Sequence, residues 1–406
     1  MHCGLLGKKL GHSYSPQIHS HLGNYSYDLF EKAPEELEEF LRSGNFSGLN
    51  VTIPYKKDVL PYCNKLSERA KTIGAVNTII RRPDGTLIGH NTDYFGFQSM
   101  LKRSGLQVTG KKGLVLGSGG ASVTAVAVLQ QQGANVMVIS RSGENNYANL
   151  SRHNAAAVIV NATPIGMYPN VGISPVDLDL FPDLEGVLDI IYNPARTQLL
   201  LDAERRGLIT ENGLWMLVAQ AKESAEWFTG TKISDKKIAQ IHAILRRQME
   251  NIVLIGMPGC GKSTIGQMLA AQLNKKFIDA DAEIVKQAGM PIPEIFEISG
   301  EEGFRKWESQ ILAQFGKESG LVIATGGGCV TRSGNYPTLH QNGRIIWIRR
   351  DIHALPVDGR PLSQKNKLEA MYAVRKPMYE AFSDYAVAND TTPEQVVIEI
   401  MKKEGY

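Results

Sequence analysis

Nine consecutive residues, Gly256-Met257-Pro258-Gly259-Cys260-Gly261-Lys262-Ser263-Thr264, follow the apolar run Ile252-Val253-Leu254-Ile255 with the spacing G-x-x-x-x-G-K-[ST]. A glycine-rich turn directly behind a short buried strand lets successive backbone N–H groups wrap phosphates, with Lys262 on the β/γ oxygens and Ser263 on Mg²⁺. Cys260 is a filler whose backbone N–H matters more than its thiol. A second set of chemistry-bearing residues lies far upstream: Ser13 and Ser15, Asn50 and Thr52, Lys56, Asn77 and Asp93. Taken singly, each has a structural explanation: the serines cap a helix, Asn77 holds a turn, Lys56 is a solvated lysine and Asp93 an N-cap. Together they suit a small polyhydroxylated carboxylate, its hydroxyls bonded bidentately and one amine placed to transfer a proton.

A third set is Gly117-Ser118-Gly119-Gly120-Ala121-Ser122, set between the apolar stretch Gly113–Leu116 and a helical run from Val123 to Gln132. A second strand, Asn135–Ile139, follows. This strand, glycine turn, helix, strand order is that of a dinucleotide fold, whose helix N-terminus faces a pyrophosphate. The third glycine of that fingerprint is replaced by Ser122, which weakens the pattern. After the second strand comes Ser140-Arg141-Ser142, and an arginine there favours the 2′-phosphate of NADP over the bare ribose of NAD.

The elements that position these groups follow from periodicity and punctuation. Pro16 is placed to begin a helix, and Pro54 closes the strand that starts at Gly48. Val158–Val160 and Leu188–Ile191 read as buried strands emptying into polar turns. Ala195–Arg206, Gly213–Phe228 and a helix from Asp235 to Met249 show helical spacing, the last passing almost directly to the phosphate-loop strand. A phosphate loop follows the first strand of its domain, yet this one begins after about 250 residues that already look complete, so two proteins are joined. The chain of 406 residues, 43% hydrophobic and 21% charged, has room for two or three domains. A net charge of +3 with no basic block argues against nucleic acid. Cys3, Cys63, Cys260 and Cys329 lack zinc-ligand spacing and read as buried or incidental thiols. No apolar stretch approaches the ~20 residues of a membrane helix. The opening Met1-His2-Cys3-Gly4-Leu5 lacks a signal-peptide pattern, so the expected location is the cytoplasm.

Six ordered motifs give the first ~250 residues a resemblance to shikimate dehydrogenases. They are His12-Ser13-Tyr14-Ser15-Pro16, Asn50-Val51-Thr52, Gly74-Ala75-Val76-Asn77-Thr78, Asn91-Thr92-Asp93, Asn161-Ala162-Thr163-Pro164 and Met216-Leu217-Val218-Ala219-Gln220. The resemblance implies that Ser13, Ser15, Asn50, Thr52, Asn77, Tyr192 and Gln220 hold the hydroxylated ring and that Lys56 and Asp93 form the catalytic pair. Lys57 is then the neighbour of the acid. The Gly117, Gly119, Gly120 and Ala121 turn with Ser140 and Arg141 would hold the cofactor. The span between Arg141 and Val158 is too short for a further strand and helix, so part of the usual cofactor domain is expected to be missing.

Behind the phosphate loop stand Phe277-Ile278-Asp279-Ala280-Asp281, Gly300 to Glu308, Thr325-Gly326-Gly327-Gly328, Gly359-Arg360-Pro361-Leu362 and Arg375-Lys376-Pro377-Met378-Tyr379. In this order residues 250–400 resemble a shikimate kinase. The resemblance implies Asp279 with Ser263 on the Mg²⁺ side, and Asp281, Arg305, Gly327, Gly328 and Arg375 on the acceptor. Lys262, Asp281 and Arg360 would carry the chemistry, with Arg360 in a short mobile lid, Pro356 to Gln364. A structural alternative makes Arg305 and Glu308 a helix-surface pair and the three glycines a tight turn.

The expected architecture is α/β throughout. It has a dehydrogenase-like substrate domain at 1–100, completed by helices from about 219–249, a Rossmann-like NADP domain at 101–218, and a P-loop domain at 250–406. The last would resemble nucleoside-monophosphate kinases, with a parallel sheet and helices on both faces. The expected activities are reduction of 3-dehydroshikimate by NADPH and phosphorylation of shikimate by Mg²⁺-ATP, with small molecules as partners and no nucleic acid or membrane. Alternatives are a dehydrogenase half that takes quinate or NAD, or a non-catalytic metabolite sensor. A sensor should have lost Lys56, Asp93, Lys262 or Asp281, and all four are present.

Overall fold

The structure, a computed structural model, describes residues 1–11, 13–355 and 365–406. The chain forms two compact units. The first comprises Met1–Met167, Ile173–Tyr192 and Leu199–Arg246, and the second Tyr168–Gly172, Asn193–Gln198 and Arg247–Tyr406. The boundary at 246/247 falls inside the helix Lys236–Met249, and two short segments from the first half of the sequence group with the second unit. A linear reading could not anticipate those two segments, because membership in a compact unit is decided by long-range packing.

The first unit contains two sheets. One is built from β1 (His2–Gly7), β2 (Ser26–Glu31), β3 (Gly48–Val51), β4 (Lys65–Leu66), β5 (Thr78–Arg81) and β6 (Leu87–His90), in the order β2-β1-β3-β5-β6-β4. It is mixed: β5 runs antiparallel to both β3 and β6, and the other pairs are parallel. The buried Gly48-Leu49-Asn50-Val51 stretch lies inside the sheet, so Asn50 is carried into the interior. The second sheet contains β7 (Lys112–Leu116), β8 (Asn135–Ile139), β9 (Val158–Asn161), β10 (Gly186–Asp189) and β11 (Ile209–Asn212), all parallel, in the order β11-β10-β9-β7-β8. Its inner strands β9 and β10 are buried at every position, as strands covered on both faces must be. Between β8 and β9, the described residues hold one 3-10 segment, Tyr147–His153, and an isolated bridge between Ser140 and Asn146. β8 is therefore the edge of this sheet.

The helix predicted from Ala195 begins at Gln198, and Thr92 rather than Asp93 holds the cap position of its helix. The helix Leu214–Thr229 packs on Asp93–Ser104, and it brings Gln220 and Ser224 back to the first sheet from more than a hundred residues away.

In the second unit, β12 (Asn251–Ile255), β13 (Lys276–Asp279), β14 (Leu321–Ala324), β15 (Gly343–Arg349) and β16 (Tyr385–Ala388) form a parallel sheet in the order β13-β14-β12-β15-β16. β12 is central and wholly buried, and the phosphate loop leaves its carboxyl end, where parallel α/β sheets present their sites. A single residue, Glu250, separates β12 from the helix Lys236–Met249. Among the described residues no helix is long and apolar enough to cross a membrane.

Candidate functional site

In the first unit the chemistry centres on an ion pair. Lys56 Nζ lies 2.6 Å from Asp93 Oδ2, both side chains being mostly shielded from solvent. Lys56 stands on the turn after β3, where Tyr55 N–H donates to the Thr52 carbonyl (3.0 Å). The Tyr55 ring is buried beneath that turn, and its hydroxyl donates to the Lys32 carbonyl. The Lys56 carbonyl accepts from Val76 N–H at 2.8 Å, so the lysine is held from both sides, whereas Lys57 is exposed. Asp93 is the first residue of its helix, a position where the N-terminal dipole favours a carboxylate.

Beneath the pair lies a buried network of amides and hydroxyls. Asn50 Nδ2 donates to Ser224 Oγ (2.8 Å) and Thr78 Oγ1 (3.2 Å), while Asn50 Oδ1 accepts from Tyr27 OH (2.7 Å). Asn77 Oδ1 accepts from Thr92 N–H (2.7 Å), and Asn77 Nδ2 donates to Thr92 Oγ1 (3.0 Å). Gln220 Oε1 accepts from the same threonine hydroxyl at 3.4 Å. Ser15 reaches the network through Tyr27, whose phenol burial raises well above its ordinary range, with the Ser15 hydrogen bond opposing. His19 stacks on Tyr27 at 4.0 Å between ring centroids, and burial lowers it to about 3. Ser13 Oγ accepts from Ser15 N–H (3.2 Å), and Tyr14 packs edge-on against Tyr192, 6.3 Å between centroids. Burial raises the Tyr192 phenol, and neighbouring Tyr14 adds to it. The seven polar residues expected around a ring thus share one neighbourhood with the Lys56–Asp93 pair, Thr52 on the Lys56 turn and the others linked through contacts.

Sequence reading missed Tyr27, Thr78 and Ser224. Ser224 lies one helical turn after Gln220, which is the one signal that pointed to it.

In the second sheet the glycine turn follows β7. Gly119 takes the cap position and Gly120 and Ala121 begin the helix Gly120–Gln131. Ser122, in place of the third glycine, donates its buried hydroxyl to the Gly117 carbonyl at 2.6 Å and so closes the turn. A Cβ at Gly119 or Gly120 would meet nothing within 4 Å, so these glycines leave the helix N-terminus open to a ligand instead of serving internal packing. Ser140 and Arg141 follow β8, with Arg141 exposed near Tyr147. The turn and this arginine fit a phosphorylated dinucleotide.

The second unit's site is a cavity of about 770 Å³ that joins the phosphate loop to Asp281, Arg305 and Arg375. Gly256 adopts φ +144°, which opens the loop behind β12. Lys262 begins the helix Lys262–Leu273, and its Nζ donates to the Gly256 and Met257 carbonyls at 2.9 and 3.0 Å. Pro258, Gly259, Gly261, Ser263 and Thr264 line the cavity, whereas Cys260 is buried behind it. Ser263 Oγ donates to Asp279 Oδ2 at 2.6 Å, an oxygen pair of the kind Mg²⁺ prefers. Asp279 also caps the helix Ala280–Ala288 by accepting from Asp281 N–H and Ala282 N–H. The aspartate that faces the loop serine is thereby fixed two residues before Asp281.

Arg305 and Glu308 are not a surface pair. They lie on the helical segment Ile292–Gly316 beyond a break at Gly300, both buried, with Arg305 Nη1 2.8 Å from Glu308 Oε2. Burial pushes the Glu308 carboxyl above its ordinary range against the pull of Arg305, and Asp281 adds to the push. Burial would lower Arg305, but the Glu308 and Glu301 carboxylates outweigh it and hold the guanidinium charged. Arg375 Nη1 donates to the Gly327 carbonyl at 3.1 Å, where Tyr379 OH also donates. Gly327 packs against Pro258, and Gly328 against Arg305. Arg360 and the lid stretch 356–364 lie outside the described residues.

The α/β chain thus sets a lysine–carboxylate pair over a polar basin in one unit, groups suited to proton transfer, and a phosphate loop in one cavity with two arginines in the other, groups suited to phosphoryl transfer. Residues 5–79 match the family model of the shikimate dehydrogenase substrate binding domain, and residues 258–404 that of shikimate kinase. A curated shikimate dehydrogenase (NADP(+)) of Clostridium perfringens is 36% identical over 265 residues, covering 60% of this chain and 97% of that protein. The crystal structure of shikimate dehydrogenase 1 from Peptoclostridium difficile shares 38% identity with a TM-score of 0.56, covering 60% of this chain and 97% of that one. A chorismate mutase/shikimate 5-dehydrogenase fusion protein from Clostridium acetobutylicum shares 37% identity with a TM-score of 0.57, over 60% and 96% of the two chains. The chain belongs to the shikimate dehydrogenase family and carries a shikimate kinase domain behind it.

Proposed function

We propose that this chain performs two consecutive reactions: reduction of 3-dehydroshikimate to shikimate with NADPH, and phosphorylation of shikimate to shikimate 3-phosphate with Mg²⁺-ATP. The observation that supports it best is that both sites suit one molecule. The first offers hydroxyl and amide groups around a proton-transferring amine, and the second offers two buried arginines for a carboxylate beside an aspartate for a hydroxyl. The family memberships of the two halves name the same compound.

In the first reaction NADPH supplies the hydride when bound, and Gly117, Gly119, Gly120, Ala121, Ser140 and Arg141 would hold it. Ser13, Ser15, Asn50, Thr52, Asn77, Tyr192 and Gln220 hold the ring. The alkoxide formed at the former ketone takes a proton from Lys56 Nζ, and Asp93 orients that amine at 2.6 Å. In the second reaction Arg305 and Arg375 bind the carboxylate, a task for which a planar fork of N–H donors is suited. Asp281 orients the attacking hydroxyl, Lys262 neutralises charge on the transferred phosphoryl group, and Ser263 with Asp279 holds Mg²⁺. Arg360 adds a further positive charge. The protein acts in the cytoplasm on small molecules.

Supplying 3-dehydroshikimate, NADPH and Mg²⁺-ATP to the purified chain should yield NADP⁺, ADP and shikimate 3-phosphate. Oxidation of NADPH without any phosphorylated product would refute the second assignment, and an unchanged NADPH signal the first.

A further inference from the structure

Ser224 sits at the centre of the network below the Lys56–Asp93 pair, yet the dehydrogenase reading gives it no part. It is fully buried on the helix Leu214–Thr229. Its Oγ donates to the Gln220 carbonyl (3.0 Å), accepts from Asn50 Nδ2 (2.8 Å), and lies 2.9 Å from each of Thr78 Oγ1 and Thr92 Oγ1. One serine therefore touches, directly or through one threonine, Asn50, Asn77 and Gln220, and the residue before Asp93.

A hydroxyl has one proton and two lone pairs. With its proton on the Gln220 carbonyl, Ser224 acts as an acceptor toward Asn50. The Asn50 amide then has its protons committed inside the protein, to Ser224 and to Thr78 Oγ1 at 3.2 Å, with the Asn77 carbonyl at 3.4 Å. Its oxygen takes the Tyr27 hydroxyl and has His19 beside it, so what Asn50 can still offer a ligand is acceptor capacity on Oδ1, not a proton. Asn77 has the opposite assignment. Its oxygen accepts from Thr92 N–H (2.7 Å), with the Thr78 and Thr92 hydroxyls each 3.2 Å away, and its NH₂ group gives one proton to Thr92 Oγ1. The remaining amide proton is what Asn77 can offer. The two residues are neighbours in space, since Val51 N–H donates to the Asn77 carbonyl at 2.8 Å.

We propose that Ser224 is a positioning residue that sets the donor–acceptor polarity of the ring site, locking Asn50 as an acceptor beside Asn77 as a donor. A substrate with two adjacent hydroxyls fits this polarity, one donating to Asn50 and the other accepting from Asn77. A ring whose donating hydroxyl is methylated does not. The inference rests on the proposed dehydrogenase function.

The test uses the full chain and initial rates of shikimate-dependent NADP⁺ reduction. Ser224→Ala removes the acceptor, and Ser224→Cys fills the same space with a group that hydrogen-bonds weakly. Both should raise KM for shikimate by about tenfold or more, the order expected when a buried amide loses its partner, with kcat and KM for NADP⁺ changed less than about threefold. Shikimate-dependent ADP formation should be unchanged in both. A KM for shikimate within twofold of the wild type in Ser224→Ala would overturn the proposal. So would a cysteine variant that matches the wild type, because packing alone would then suffice, or a joint collapse of kcat and both KM values. If Ser224→Ala fails to fold, the cysteine variant decides by the same criteria. A wild-type chain with no shikimate-dependent NADP⁺ reduction refutes the dehydrogenase reading itself.

Discussion

Gly328→Ala tests how the acceptor site of the second unit is held. Gly328 has φ −106°, a value open to any residue, so the backbone accepts alanine without strain. The new Cβ would lie 2.1 Å from Arg305 Nη2 and 2.2 Å from Nη1. Restoring ordinary contact at 3.4 Å requires the guanidinium to withdraw by about 1.3 Å, the difference between those distances. It cannot do so and keep its 2.8 Å bond to Glu308, whose side chain is itself fully buried. A hydrogen bond to a charged group contributes roughly 1.5–3 kcal/mol, and a displacement of about 1 Å in a positioning group costs up to ~10²-fold in rate. The kinase kcat/KM for shikimate should therefore fall by about 10- to 100-fold, mostly through KM, while NADP⁺ reduction by the same preparation is retained. Gly334→Ala is the control: a Cβ there meets nothing within 4 Å and φ is −63°, so both activities should persist. The assay is coupled ADP release against shikimate concentration. A Gly328→Ala chain whose kinase kcat/KM stays within threefold of the wild type would show that Arg305 needs no glycine beside it, and the reasoning from its fixed position would fail.

Lys56→Met should abolish shikimate-dependent NADP⁺ reduction and leave ADP formation, and Lys262→Ala should do the reverse. Either change silencing both activities in a folded protein would sink the assignment of two separate sites. Acid should destabilise the first unit ahead of its carboxylates' ordinary range. His19, His90 and His242 are buried there and lowered by burial to about 3, 4 and 4. Their contribution is fully present above the unfolded value near 6.5 and is lost as pH falls toward 4, because the unfolded state then binds the extra protons. Glu223 runs the other way, since burial raises it to about 7, so its protonation favours the folded state between 7 and 4.5. Three histidines against one glutamate leave the unfolded state ahead by roughly two protons, or on the order of 2–3 kcal/mol per pH unit. The urea midpoint for loss of NADP⁺ reduction should drop between pH 7 and pH 5, and a flat profile would contradict the burial of these histidines.

What the sequence disclosed, and what it withheld, divides by the distance along the chain over which each feature is defined. The phosphate loop is legible because every part of it is local: a strand, a turn and a helix start within fourteen residues from Asn251 to Thr264. The glycine turn after β7 was legible for the same reason, and even its irregularity proved informative, since Ser122 closes the turn with the hydroxyl that a glycine lacks. The short span after Arg141 could be measured by counting residues, and it holds a single 3-10 segment where a strand and helix would need more chain. Ser224 is a different case. Its bond to Asn50 joins residues 174 apart, and its one local cue, a place one turn after Gln220, does not by itself separate a serine that meets a sheet from one that faces solvent.

Arg305 and Glu308 show how the same spacing can carry two meanings. An arginine three residues before a glutamate on a helix is the ordinary signature of an exposed ion pair, worth a few tenths of a kcal/mol. Here the break at Gly300 and the packing of Gly326-Gly327-Gly328 bury the pair, and the cost of taking both charges from water is then large unless each finds further partners. Arg305 finds a second carboxylate in Glu301, while Glu308 Oε1 has no hydrogen-bond partner among the described residues. A buried guanidinium held by carboxylates at one end, and lining a cavity that also holds Arg375 and the phosphate loop, keeps its charge available to a carboxylate ligand at little further desolvation cost. The burial that makes the pair poor as a source of stability is what makes Arg305 useful for recognition, because the desolvation is met when the unit folds and not when the ligand arrives.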